Sequence, residues 1–139
     1  MRNYRDLEVW KLSHKLTLEL YAASKKFPKD EMFGLTSQLR RAAVSIGANL
    51  AEGCGRRTSP EFARFIRIAM GSASELDYHL LLCRDFGFVT NEFYDRNSKE
   101  LIRVRKMLAA LLTSVENQMQ AKALGRTAKY QIPSTSGPQ

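Results

Sequence analysis

Along most of this chain apolar residues recur at the three-to-four-residue spacing of a helix, and strand-like alternation is almost absent. The first helix is expected from about Leu7 to Lys26, with Asp6 as its N-cap and Val9, Leu12, Leu16, Leu20 and Ala23 as its core stripe. FPKDE then interrupts it, with Pro28 inside the break. The second is expected from Phe33 to Glu52, turning Leu35, Leu39, Ala42, Ala43, Ile46 and Leu50 inward. Gly53 and Gly55 are expected to stop it by entering the left-handed region. The third opens at TSPEF, where Thr58 or Ser59 can cap, Pro60 fits the first turn, and Thr58 with Glu61 matches a capping box. Its stripe is Phe62, Phe65, Ile66, Ala69, Ala73, Leu76, Leu80 and Cys83, and Gly87 closes it. The fourth starts near Thr90 and runs to about Leu124. Tyr94, Leu101, Val104, Leu108, Leu112, Val115 and Met119 face inward, and Arg96, Lys99, Arg103 and Lys106 face out.

Four long helices with short connections predict an all-α, antiparallel up-down-up-down four-helix bundle. Residues 1–124 form the bundle domain, and 125–139, ending YQIPSTSGPQ, read as a flexible polar tail. The chain contains no repeat and no internal domain boundary.

The back faces break the simplest version of this picture. A helix on the outside of a bundle should turn charge away from its core stripe. Behind the second helix's stripe lie Ser37, Arg41, Val44, Ser45, Ala48 and Glu52, and behind the third's lie Arg64, Ile68, Gly71, Glu75, Tyr78 and Leu82. The first helix carries a second stripe of Leu7, Trp10, His14 and Tyr21. One bundle cannot bury both faces, and small side chains allow close backbone approach. The pattern therefore points to a homo-oligomer whose interface includes Trp10, Tyr21, Ser45, Ala48, Gly71 and Tyr78. Arg41 and Glu52 share a face but stand too far apart to pair, so each needs either solvent or a partner from another helix or subunit.

Composition adds one directional fact. The 139 residues carry 22 Lys and Arg against 14 Asp and Glu, a formal charge of +8. A surplus of this kind suits a polyanion, most often nucleic acid. No apolar run is long enough to span a bilayer, and the N-terminus lacks an apolar signal core. A cytoplasmic protein with two unpaired thiols, Cys54 and Cys83, is the expectation.

The segment QLRRAAVSIGANLAEGCGRRTSPEFARFIRIAMGSASEL, residues 38–76, resembles the family of small four-helix-bundle proteins encoded in intervening sequences of bacterial 23S ribosomal RNA genes. NYRDLEVWKLSHKL, FPKDEMFGLTSQ and LLLCRDFGFVT are similar to the family's opening helix, first connection and third-helix end, so the resemblance covers about residues 3–118. Gln38, Arg40, Arg41, Ser45, Asn49, Glu52, Gly53, Gly55 and Arg56 stand at the polar and glycine positions of one family motif. Gly71, Ser72 and Glu75 stand at those of a second. Gly47 departs from the pattern, which has a bulkier residue or a proline there. The resemblance implies a homopentamer around a central channel. A related fold serves as the accessory protein of diversity-generating retroelements, which implies nucleic acid, RNA or DNA, and a protein such as a reverse transcriptase as partners.

Arg40, Arg41, Arg56, Arg57, Arg64 and Arg67 gather along the second helix, the third and the turn between them, where planar guanidinium groups are suited to phosphate. They are the expected nucleic-acid contacts, with structural ion pairing as the competing role for each. Catalysis is not expected. His14 and His79 are isolated, Asp77 and Arg84 read as a structural pair, and Cys54 lacks a placed base. No metal-ligand spacing, phosphate loop, helix-turn-helix, zinc-finger or RNP signature is present, and no cofactor or membrane partner is implied. Two functions remain open: a nucleic-acid-binding oligomer, and a structural or adaptor oligomer for a protein partner.

Overall fold

The computed structural model describes residues 2–130, with side chains as far as Arg126. Four helices form: α1 Glu8–Ser24, α2 Leu35–Cys54, α3 Ser59–Asp85 and α4 Asn91–Tyr130. No strand occurs among the described residues. Each helix packs on the next and α1 returns to α4, while the diagonal pairs make no close backbone approach. From Trp10 to Ser24 along α1, the partners on α2 run backwards from Gly47 to Arg40. From Arg67 to Asp77 along α3, they run backwards on α4 from Glu116 to Arg105. The neighbours are therefore antiparallel, as expected.

The expected core stripes meet in one continuous cluster. Leu20, Leu39, Ile46, Leu50, Ile66, Leu76, Leu80, Leu101, Val104, Leu108 and Val115 are each essentially sealed from solvent. A fully buried aliphatic side chain contributes about 1.5–3 kcal/mol relative to exposure, and this set dominates the fold's stability. Asn97 is a polar residue sealed among them, donating from Nδ2 to the Phe93 carbonyl at 3.0 Å.

Several helix ends differ from the sequence expectation. Asp6 does not cap α1. It lies in a 3-10 turn, Tyr4–Asp6, capped by Asn3, whose side chain accepts from the Arg5 N–H. The turn is favoured because it swings Tyr4 and Leu7 onto the core. α2 starts at Leu35 instead of Phe33, since the Glu31 carboxylate reaches the Leu35 N–H at 3.0 Å and supplies the cap from the preceding turn. Gly53 and Gly55 do not stop α2 in the left-handed region. Gly53 is helical, and Gly55 has φ −82°. The helix unwinds through tight turns, with the Gly55 N–H on the Glu52 carbonyl and the Arg56 N–H on the Gly53 carbonyl.

At α3 the expected cap is present, with the Thr58 hydroxyl accepting from the Glu61 N–H at 3.3 Å. The Glu61 carboxylate turns to Arg64 at 3.1 Å instead of closing the box. Gly87, at φ +77°, ends α3 as expected: Phe88 N–H bonds the Cys83 carbonyl and Gly87 N–H the Arg84 carbonyl, the paired closure that requires a left-handed residue. α4 continues to Tyr130, beyond the expected end near Leu124. The rest of the expected tail, 131–139, lies outside the described residues.

Candidate nucleic-acid interface

The two ends of the bundle differ in chemistry. One end holds the start of α1, the end of α2, the start of α3 and the late turns of α4. There the tight turn after Cys54 throws Arg56 and Arg57 outward, and the 3-10 turn brings Arg2 across. Arg2 lies over the Phe62 ring, 4.6 Å from its centroid, and donates to Gln118 at 3.2 Å. Together Arg2, Arg56 and Arg57 line a cavity of about 270 Å³ with Gly53, Cys54, Phe62, Thr58 and Ser59. A second cavity, about 330 Å³, begins at the same Thr58 and Ser59 and runs between Pro60 and the α4 residues Met119, Lys122, Ala123 and Arg126.

The arginines singled out in the sequence do not form one patch. Arg40 donates to Ser24 at 2.8 Å and stacks over Tyr21 at 4.7 Å, pinning α2 to the far end of α1. It lies 14 residues before the end of α2 at Cys54, roughly 21 Å by the helical rise, and so far from Arg56 beyond that end. Arg56 pairs with Glu52 at 2.8 Å, and Arg64 with Glu61 at 3.1 Å. Their guanidinium groups also sit 4.8 and 4.5 Å from the centroid of the Phe65 ring. Arg67 bridges to Glu116 on α4 at 2.9 Å. The side chains of Arg41 and Arg57 make no hydrogen bond, ion pair or ring contact with any described residue. Glu52 thus finds its partner one turn on, while Arg41 stays open on a groove of about 480 Å³ beside Gln38, Ser45, Ser72 and Glu75.

The structure adds Arg2, Lys122 and Arg126 to the basic end. One sequence signal for them existed: no acidic residue follows Glu116, and the chain opens MRNYR. Arg2 has no such neighbour in sequence, because only the fold carries it to Arg57.

The expected interface residues divide. Ala48, Gly71 and Tyr78 are exposed on the back of α2 and α3, alongside Val44 at 44% and Ile68 at 40% exposure. Tyr21, also exposed, carries Arg40. Trp10 is half-buried within the chain, edge-on to Tyr4, stacked with His14 at 4.8 Å, and lying against Gly47. Ser45 shares a 2.7 Å hydrogen bond with Ser72 and accepts from Asn49, so its hydroxyl links α2 to α3.

Both cysteine thiols are buried. Burial pushes the Cys54 thiol pKa up, against the opposing pull of Arg2. Burial, reinforced by Glu31, pushes Cys83 up to about 12. Both therefore stay protonated near neutral pH. His79 is buried, with Glu75 at 3.9 Å. Asp77 and Arg84 do not pair as expected: helix geometry seven residues apart separates them by two turns, and each has a nearer partner. Asp77 faces Arg105 at 3.6 Å, and Arg84 meets Asp85 at 3.0 Å while lying over Tyr94. Among the described residues no group of three or more His, Cys, Asp or Glu could hold a metal ion.

A family model described as 23S rRNA-intervening sequence protein matches residues 5–110. Among solved structures, a Bacteroides thetaiotaomicron protein with unknown function from the S23 ribosomal protein family superposes with a TM-score of 0.70. It is 24% identical, and the match covers 76% of this chain and 95% of that one. At that identity it shows the shared fold. No curated protein matches the chain.

Proposed function

The chain belongs to the 23S rRNA-intervening sequence protein family, and from that premise we propose that it is a non-enzymatic, homo-oligomeric protein that holds nucleic-acid backbone at its basic end. The supporting observation is the convergence of Arg2, Arg56 and Arg57 on one cavity that continues past Lys122 and Arg126. Phosphate recognition needs guanidinium groups that are not already neutralised. Arg57 is free, and Arg2 touches only a ring and a neutral amide. Arg40 and Arg67, already engaged within the chain, serve structure, and Arg41 belongs to the back face of α2. That face, with Val44, Ala48, Ile68, Gly71 and Tyr78, is the proposed contact between copies. The resemblance puts their number at five, and the setting is cytoplasmic.

Fluorescence anisotropy of labelled RNA and DNA tests the reading at low and physiological salt. Binding is expected to weaken steeply with salt, with a log–log slope of roughly −0.7 per neutralised phosphate for single strands. Arg57→Glu is expected to lower affinity at least about tenfold, an ion contact being replaced by repulsion. Absence of binding at low salt overturns the nucleic-acid role.

In that case the adaptor reading has its own support. Phe33 is 96% exposed and Phe86 62% at the opposite end of the bundle, a surface that suits a protein partner.

A further inference from the structure

Resting on the nucleic-acid reading, we infer that the cavity at the start of α3 recognises the terminal phosphate monoester of a nucleic-acid strand, with the adjoining cavity taking the nucleotide that bears it. Gly53, Cys54 and Phe62 line this cavity beside the arginines. The second cavity shares Thr58 and Ser59 with it. The layout is a charged pocket beside a trough, with room for a phosphate in one and the nucleotide that bears it in the other.

The charge in the pocket matches a monoester better than a diester. A backbone diester carries one negative charge, whereas a terminal phosphate carries about −1.5 to −2 at neutral pH and three terminal oxygens. Arg2 and Arg57 have no carboxylate partner, and Arg56 is shared with Glu52. Two uncompensated guanidinium groups are thus available to a dianion. Ser59 and Thr58 line the cavity as further polar residues. The trough changes character as it leaves: Pro60, Met119 and Ala123 offer an apolar floor for a base or sugar, and Lys122 and Arg126 stand along it where the next phosphates would pass.

The test uses one single-stranded RNA sequence in three forms: 5′-phosphorylated, 3′-phosphorylated, and with hydroxyls at both ends. Each carries its fluorophore at an internal position. Binding to the full chain is read by anisotropy at physiological salt. One phosphorylated form is expected to bind at least about tenfold tighter than the hydroxyl form, the scale of one strong charge-assisted contact; which of the two is preferred identifies the end that is recognised. Arg57→Gln should abolish the preference while leaving measurable binding of the hydroxyl form, with unchanged circular dichroism confirming the fold. Equal binding of all three forms overturns this inference and leaves the backbone-binding function standing. A preference that survives in both Arg57→Gln and Arg2→Gln also overturns it, because another site then reads the end. No binding of any form, at low salt as well, overturns both.

Discussion

A Cβ placed on Gly53 would lie 2.9 Å from both Phe62 Cδ1 and Phe65 Cβ, closer than packed carbon atoms sit. The glycine therefore serves the approach of α2 to α3, and with it the lining of the basic cavity. Gly53→Ala is expected to cost about 1–3 kcal/mol through overpacking, measured by urea unfolding. Its helix-propensity gain, at most about 1 kcal/mol, does not offset this. Gly47 works similarly but less tightly, with the Trp10 indole nitrogen 3.2 Å from the equivalent Cβ position. Gly71 is the contrast, since nothing in its own chain lies within 4 Å. That small residues line α2 was legible in the sequence. Which of them meet a neighbour within the chain was not, because contact depends on how helices cross, and periodicity carries no crossing geometry.

Helices α2 and α3 are set by dense apolar stripes, and their positions differ little from the sequence expectation. Their ends differ more, because caps depend on side chains such as Glu31 that arrive from outside the helix. α4 shows a second kind of difference. Val115 is its last fully buried residue, and residues 121–126 are all exposed. Helix there rests on local propensity and on contact with the start of α3, and a core stripe gives no sign of it. Ending the chain after Gln120 is expected to leave unfolding cooperative, with the midpoint lowered by no more than a few degrees. The same truncation removes Lys122 and Arg126. Its affinity for single-stranded RNA should fall at least severalfold, and the salt slope should flatten by about 0.7 for each phosphate that is no longer neutralised. Calorimetry and anisotropy on the one protein separate the two effects.

At the scale of the whole molecule, the cationic cavity and the exposed Phe33 and Phe86 occupy opposite ends, while the apolar back of α2 and α3 runs between them. Under the proposed assembly, copies packed side by side through that face would leave both ends uncovered. Light scattering is expected to give a mass that is a multiple of the 15.8 kDa chain. Val44→Asp combined with Ile68→Asp is expected to reduce it to that of one chain, with helical content retained. Burying two unpaired carboxylates against an apolar neighbour is costly enough to dissociate the assembly. A monomeric parent protein would remove the assembly from the proposed function without touching the phosphate site.

By itself, the sequence determined the four helices, their antiparallel order, the core stripes and the surplus of positive charge. These follow from periodicity, loop length and composition, which are local or additive properties. Only the tertiary structure decided which arginines are free to meet a ligand. Arg40, Arg56, Arg64 and Arg67 find partners or rings within the chain, whereas Arg57 stays open and Arg2 joins it from the far end of the sequence. The physical reason is that a charge is neutralised by what lies within a few ångströms in space, and residues 2, 57 and 122 become neighbours only when the bundle closes.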